Sequence, residues 1–70
     1  MNNSKILVNG KSESMTAKNI NELLIQKGIT PSLKGIAVAI NGIVVPRNYW
    51  GSKDIITGDE VEIVKPFKGG

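Results

Sequence analysis

Residues 35–45 read GIAVAINGIVV, the most apolar run of the chain, and this stretch decides the fold. Its length and β-branched residues favour a buried strand over a helix, and the Asn41-Gly42 pair in its middle predicts a tight hairpin turn. Side chains alternate between the two faces of a strand, so Ala37 and Ala39 share the face opposite the large residues. We predict that the large residues face a helix and that the alanines lie on a face where a partner docks.

A second hairpin is predicted before this stretch. Lys5–Val8 is a short β-rich run, and the Asn9-Gly10 pair that follows is typical of a two-residue hairpin turn. The returning segment Lys11–Met15 is polar, so we expect it at an edge of the sheet or in a solvent-facing position.

A short amphipathic helix is predicted between the two hairpins. Asn19 is a suitable N-cap, and Glu22 lies three residues later, where a glutamate bonds back to the start of a helix. Gly28 ends the helix, and Ile29 can fold back onto it. The apolar residues that share one helical face, which we expect to pack on the sheet, are Ile20, Leu23 and Leu24.

The last strand is predicted at Glu60–Val64, with Val61 and Ile63 on one face and Pro66 ending its pairing. We place this strand between earlier ones, so that the following residues leave from a rigid central element. The result is an α+β fold of two layers: a mixed sheet of about five strands with one main helix packed across one face.

A Gly-Gly pair closes the sequence after Lys68. Two residues without Cβ can enter a channel that would reject a side chain, and the last atoms of such a tail are a carboxylate. The alternative is a frayed terminus or a cloning scar. We predict that residues 1–66 form the domain and that residues 67–70 form a flexible C-terminal diglycine tail.

The composition argues against a self-contained enzyme. The 70 residues include neither Cys nor His, which removes disulfides, the usual metal ligands and Ser-His or Cys-His catalysis. We therefore expect no catalytic residue and no metal site. No signal-peptide pattern and no membrane-length apolar run is present, so we expect no membrane partner and a cytoplasmic location.

Residues 47–50, Arg-Asn-Tyr-Trp, carry two of the three aromatic residues beside a cation, in a chain of net charge +3. Stacking rings next to positive charge are typical of proteins that bind single-stranded nucleic acid. Three aromatic residues are too few for such a platform, so we favour a short turn in which Trp50 seals the end of the core. We expect no nucleic-acid partner.

Three motifs, in this order, resemble the bacterial thiamine-biosynthesis sulfur carrier (ThiS-like) family. They are the Asn-Gly hairpin with Val-Pro-Arg-x-x-Trp (41–50), the Gly-Asp-x-Val-Glu-Ile-Val strand (58–64) and the terminal Gly-Gly. The resemblance covers nearly the whole chain and implies a ubiquitin-like β-grasp fold. The chain departs from the family at Pro66-Phe67-Lys68, where members often have small residues.

The resemblance implies a carrier and not an enzyme. In the family, a ubiquitin-activating-like adenylyltransferase uses ATP and Mg²⁺ to activate the C-terminal carboxylate. Sulfur from a cysteine-desulfurase type donor system then replaces AMP, and thiazole synthase uses the sulfur of the thiocarboxylate. Carried over, Gly70 is the modified residue, and Gly69, Lys68 and Phe67 are recognised by the partner's channel. The chain itself would bind no cofactor and would be a monomer when free.

Other functions stay open at this point. The small subunit of molybdopterin synthase shares the fold and the tail chemistry but has a different acceptor. A ubiquitin-like protein modifier would form adducts through Gly70, and a basic nucleic-acid-binding module would act without the glycines. Ubiquitin-like carriers meet their partners with the sheet face away from the helix. We expect this face to include Ala37, Ala39 and neighbours on the strands that end at Val45 and Val61.

Overall fold

The computed structural model describes residues 4–66, and the order of its elements is the order predicted from the sequence. The elements are β1 (Lys5–Val8), β2 (Lys11–Ser14), α1 (Ile20–Gln26), β3 (Ala37–Ile40), β4 (Ile43–Val44), a 3-10 turn (Arg47–Tyr49) and β5 (Glu60–Val64). Both predicted hairpins are present. Asn9 and Asn41 have φ angles of 50° and 53°, as the first central position of a type I′ turn requires.

The five strands form one mixed sheet in the order β2-β1-β5-β3-β4. β5 pairs in parallel with β1 and antiparallel with β3, and the two strands of each hairpin pair antiparallel with each other. The prediction that the last strand lies between earlier ones is therefore confirmed. The polar β2 lies at one edge, also as predicted, where its unpaired side faces water.

Alternation along the strands divides the sheet into an apolar face against α1 and an outer face. In β3, Val38 is 1% exposed and Ile40 is 4% exposed, whereas Ala37 is exposed on the other side. α1 packs its predicted stripe here, with Ile20 and Leu24 fully buried. The buried apolar residues of the core are Ile6, Val8, Ala17, Ile20, Leu23, Leu24, Ile36, Val38, Ile40, Val45, Trp50, Ile55, Val61 and Ile63.

The ends of α1 are capped by local hydrogen bonds. Asn19 Oδ1 accepts from the Glu22 amide at 2.9 Å, as predicted. The reciprocal bond differs from the prediction, because Glu22 Oε1 accepts from the Lys18 amide and not from that of Asn19. Asn19 also forms an isolated β-bridge with Asp54. At the other end, the Ile29 amide donates to the Leu24 carbonyl at 2.9 Å, the bond of a Schellman ending.

The Val-Pro-Arg-x-x-Trp motif closes the end of the core. Trp50 is 2% exposed, and its Nε1 donates to the Val45 carbonyl at 2.8 Å. The Arg47 guanidinium lies 4.6 Å from the centre of the Trp50 ring and donates to the carbonyls of Pro31 and Leu33. These contacts tie the segment between α1 and β3 to the 3-10 turn. The prediction that Trp50 seals the core is confirmed, and its buried ring is not a surface on which a base could stack.

Candidate functional site at the end of the central strand

The residues predicted to carry the chemistry, Phe67, Lys68, Gly69 and Gly70, lie outside the described residues. Their roles stay predictions, as does the boundary between the domain and a tail at residue 66. The structure does describe the element from which they follow, β5, and the two residues after it, Lys65 and Pro66.

β5 pairs with β3 over its last four residues but with β1 over only its first two. On the β3 side the register runs from Ile40↔Val61 to Ala37↔Val64, the last residue of β5. On the β1 side the register ends at Val8↔Val61, because β1 turns away into its hairpin. The last part of β5 therefore needs another partner on that side.

The side chain of Asn9 supplies that partner. Its Oδ1 accepts from the Ile63 amide at 2.8 Å, and its Nδ2 donates to the Ile63 carbonyl at 3.3 Å. The Asn9 backbone amide donates to the Val61 carbonyl at 2.9 Å. One residue thus continues the ladder with its carboxamide, and it fixes β5 as far as Ile63.

Asn41 holds the start of β5 from the other hairpin. Its amide donates to the Glu60 carbonyl at 2.8 Å, and its Oδ1 accepts from the Glu60 amide at 2.9 Å. Its Nδ2 donates to Asp59 Oδ1 at 3.0 Å, and Asp59 Oδ2 accepts from the Ile56 amide at 3.0 Å. Asp59 is the buried charged residue of the described chain, at 6% exposed, and these bonds satisfy it.

The hydrogen bonds by which the Asn9 and Asn41 side chains hold β5 form a clamp. The sequence did not predict this clamp, since it indicated no role for Asn9 and Asn41 beyond their turns. One signal was available: both turns use Asn-Gly. Asn tolerates the left-handed φ and also offers a donor and an acceptor on its side chain. Which backbone group that side chain reaches depends on the long-range pairing of β5, which a local pattern does not contain.

We predict that Asn9→Gly destabilises the fold by about 1–2 kcal/mol, because it removes two hydrogen bonds without straining the positive φ. Asn9→Ala should cost about 1 kcal/mol more, since Ala resists a left-handed backbone. Urea unfolding measures both changes, and amide hydrogen exchange should show faster exchange at Ile63 in the glycine variant. Unchanged exchange at Ile63 would contradict the clamp.

Pro66 lies directly on the backbone at the start of β3. Gly35 has φ +89°, and a Cβ built there would lie 2.9 Å from Pro66 Cβ and 3.4 Å from its Cγ. The 2.9 Å distance is shorter than real Cβ contacts, so glycine at 35 lets the proline ring approach this closely. Pro66 is half-buried in this position.

The outer face of the sheet combines apolar side chains with carboxylates. Val64 is 61% exposed and Val44 is 68% exposed. Alternation and register place these residues on the outer face: Lys5, Leu7, Ala37, Ala39, Val44, Glu60, Glu62 and Val64. Ala37 and Ala39 lie where they were predicted. Neighbours were also expected on strands ending at Val45 and Val61. The structure ends β4 at Val44 and β5 at Val64, and both Val45 and Val61 lie in the buried core, at 9% and 1% exposed.

Positive charge gathers on the other side of the sheet. Lys11, Lys27 and Lys65 line a groove at the end of α1, beside Glu13 and Ile29. Lys27 forms an ion pair with Glu13. The carboxylates of the central strand and the lysines of this groove therefore face different directions, and a partner would meet different charges on the two sides.

Within residues 4–66, no group of three or more Asp and Glu side chains is arranged to hold a metal ion. Across the same range, no helix has the length and apolar character that a membrane crossing demands.

Comparison with known proteins gives a consistent result. The model of the ThiS family matches residues 3–70 of this chain. The crystal structure of the thiamine biosynthesis protein (ThiS) from Geobacter metallireducens is 28% identical and superposes with a TM-score of 0.76, covering 94% of this chain and 99% of that chain. An NMR solution structure of a thiamine biosynthesis protein from the same organism gives the same identity and TM-score and is covered to 87%. No curated protein matches the chain.

Proposed function

This chain belongs to the ThiS family, with the ubiquitin-like β-grasp fold of its structural neighbours, and we propose that it is a sulfur carrier for the thiazole moiety of thiamine. Its partners would be enzymes of that pathway: an adenylating enzyme, a sulfur donor system and thiazole synthase. The chain acts as their protein co-substrate and performs no catalysis itself.

One observation supports this proposal above the others. The family match extends through Gly69-Gly70 to residue 70, and the element before this segment, β5, is the central strand of the sheet. Backbone pairing on one side and the Asn9 clamp on the other hold β5. The proposed reactive end therefore follows a rigid support, which reduces the entropy lost when a partner binds it.

The chemistry requires activation, because a carboxylate repels nucleophiles. In the proposed sequence, a Gly70 carboxylate oxygen attacks the α-phosphorus of ATP on the adenylating enzyme, and pyrophosphate leaves. Sulfur at the sulfide level then attacks the acyl carbon, AMP leaves, and a thiocarboxylate remains. The chain supplies the carboxyl group and a narrow segment, while Mg²⁺ and ATP are bound by the enzyme.

We place the docking of these enzymes on the outer face of the sheet. The apolar residues Leu7, Ala39 and Val64 adjoin the carboxylates of Glu60 and Glu62 there, and this face lies on the same strand that leads to residue 67. An apolar patch with charges at its side is typical of a specific protein interface.

Val64→Glu should reduce the efficiency of activation at least tenfold, because a charge at the centre of an apolar interface must be desolvated without a partner. Ile25→Glu is the matched control. Ile25 is 63% exposed and Val64 is 61% exposed, but Ile25 lies on α1. Steady-state kinetics of pyrophosphate release, with thermal melts of both variants, measure the difference. Equal effects of the two substitutions would place docking elsewhere.

The function itself is tested by reconstitution. With an adenylating enzyme of the thiamine pathway, ATP, Mg²⁺ and a sulfur source, addition of the chain should cause pyrophosphate release from ATP. The product should then support thiazole formation by thiazole synthase. Sulfur transfer to a molybdopterin precursor instead would assign the chain to the molybdopterin branch. Isopeptide adducts on other proteins would identify a modifier.

A further inference from the structure

The contact between Gly35 and Pro66 has no role in the core. Pro66 follows β5 by two residues, and the glycine lies before β3 on the neighbouring side of the sheet. The core residues lie between Ile6 and Ile63, so Pro66 packs outside the core. Proline also fixes its own φ near −65° and restricts the backbone of the residue before it.

Successive contacts hold the chain from Ile63 in β5 to Pro66 after it. Asn9 holds Ile63 through both of its backbone groups, and Ala37 pairs with Val64. Pro66 then rests on Gly35, where a Cβ would lie 2.9 Å from the Pro66 Cβ and would force one of the two segments to shift. The path of the chain is therefore determined up to the residue before Phe67.

On the premise of the sulfur-carrier function above, we propose that Gly35 and Pro66 are positioning residues for the activation reaction. Their contact fixes the backbone at Pro66, immediately before the residues that would enter the partner's channel. We assign neither residue a direct part in the chemistry. Their effect is to reduce the conformational freedom that binding would otherwise have to remove.

The test compares Gly35→Ala with Gly28→Ala. Gly28 has φ +76° and no atom within 4 Å of an added Cβ, so it shares the backbone strain without the proline contact. Gly35→Ala should raise the KM for the carrier in activation about tenfold after correction for the folded fraction, while kcat changes little. Gly28→Ala should leave both constants near those of the wild type.

Pro66→Gly tests the same contact without straining residue 35, and it keeps the test valid if Gly35→Ala folds poorly. It should also raise KM about tenfold. The double variant Gly35→Ala with Pro66→Gly should be no worse than Pro66→Gly alone, because the contact is already lost. Gly28→Ala with Pro66→Gly should show the product of the single effects.

A measurement on the free carrier separates this inference from the proposed function. The ¹⁵N heteronuclear NOE of Lys65, the residue before the proline, should fall in Gly35→Ala and Pro66→Gly but not in Gly28→Ala, whether or not the chain is ever activated. If wild-type carrier is not activated, the sulfur-carrier function is wrong. If wild-type carrier is activated, and Gly35→Ala matches Gly28→Ala in both KM and NOE, the positioning role is overturned.

Discussion

Removal of Gly70 is expected to abolish thiocarboxylate formation while leaving the fold intact. The shortened chain still ends in a carboxylate, on Gly69, but its carbon is withdrawn by one residue, about 3.5 Å. A misplacement of about 1 Å at a reacting centre can already cost roughly a hundredfold in rate, so the loss should be complete within detection. Intact-mass measurement after incubation with the adenylating enzyme, ATP and a sulfur source reports the product.

Two comparisons make this result specific. The thermal midpoint should not change on removing Gly70, because every buried apolar residue of the described chain lies between Ile6 and Ile63. An alanine added after Gly70 should also block the reaction, since it converts the Gly70 carboxylate into an amide. Full thiocarboxylate formation by either variant, with no trimming of the added alanine, would show that the reacting group lies elsewhere.

The largest loss of stability is expected from Trp50→Ala, at about 3–5 kcal/mol. The ring is 2% exposed and lies under the Arg47 guanidinium, and its removal also leaves the Val45 carbonyl without its 2.8 Å donor. A domain of this size has a net stability near the lower end of about 5–15 kcal/mol. The thermal midpoint should therefore fall by more than about 12 °C.

Tyr49→Ala is the matched control for this prediction. Tyr49 adjoins Trp50 in sequence but is 55% exposed, so its truncation should change the stability by no more than about 0.5 kcal/mol. Trp50→Phe should fall between the two, because it retains a ring and loses the hydrogen bond to Val45. Thermal melts followed by circular dichroism measure all three. Similar midpoints for Trp50→Ala and Tyr49→Ala would mean that the tryptophan does not seal the core.

Much of the fold was predictable because its signals are local. The two Asn-Gly pairs specify turns by their backbone preference, and the alternation of residues 36–40 separates the face against α1 from the outer face. The helix was marked at both ends by Asn19 and Gly28. Even the central position of β5 followed from chain economy, since the hairpins before and after α1 leave a gap between them for the last strand.

The features that escaped prediction all depend on contacts between distant segments. Asn9 and Ile63 are 54 residues apart in sequence, and the contact of Pro66 with Gly35 requires that β5 lie beside β3. In each case the residue type permits the contact, but only the assembled sheet selects the partner.

In the candidate site, too, the local features were predictable from the sequence and the contacts between distant segments were not. The sequence pointed to Gly70 through a motif at one end of the chain, and the outer sheet face followed from the alternation of Ala37 and Ala39. What the structure adds is the support: a central strand clamped by Asn9 and Asn41, and a proline held on Gly35. A chain without Cys or His can take part in sulfur chemistry in this way, because the body orients a backbone carboxyl group and contributes no reactive side chain.

Fragment-ion mass spectrometry of the carrier after activation shows whether the Gly70 carboxyl group is the one that reacts. We expect one oxygen to be replaced by sulfur, so that every fragment containing Gly70 carries the added mass while fragments ending at Gly69 do not. Sulfur found on any other residue, or an unmodified Gly70 in a carrier that still supports thiazole formation, would contradict this expectation.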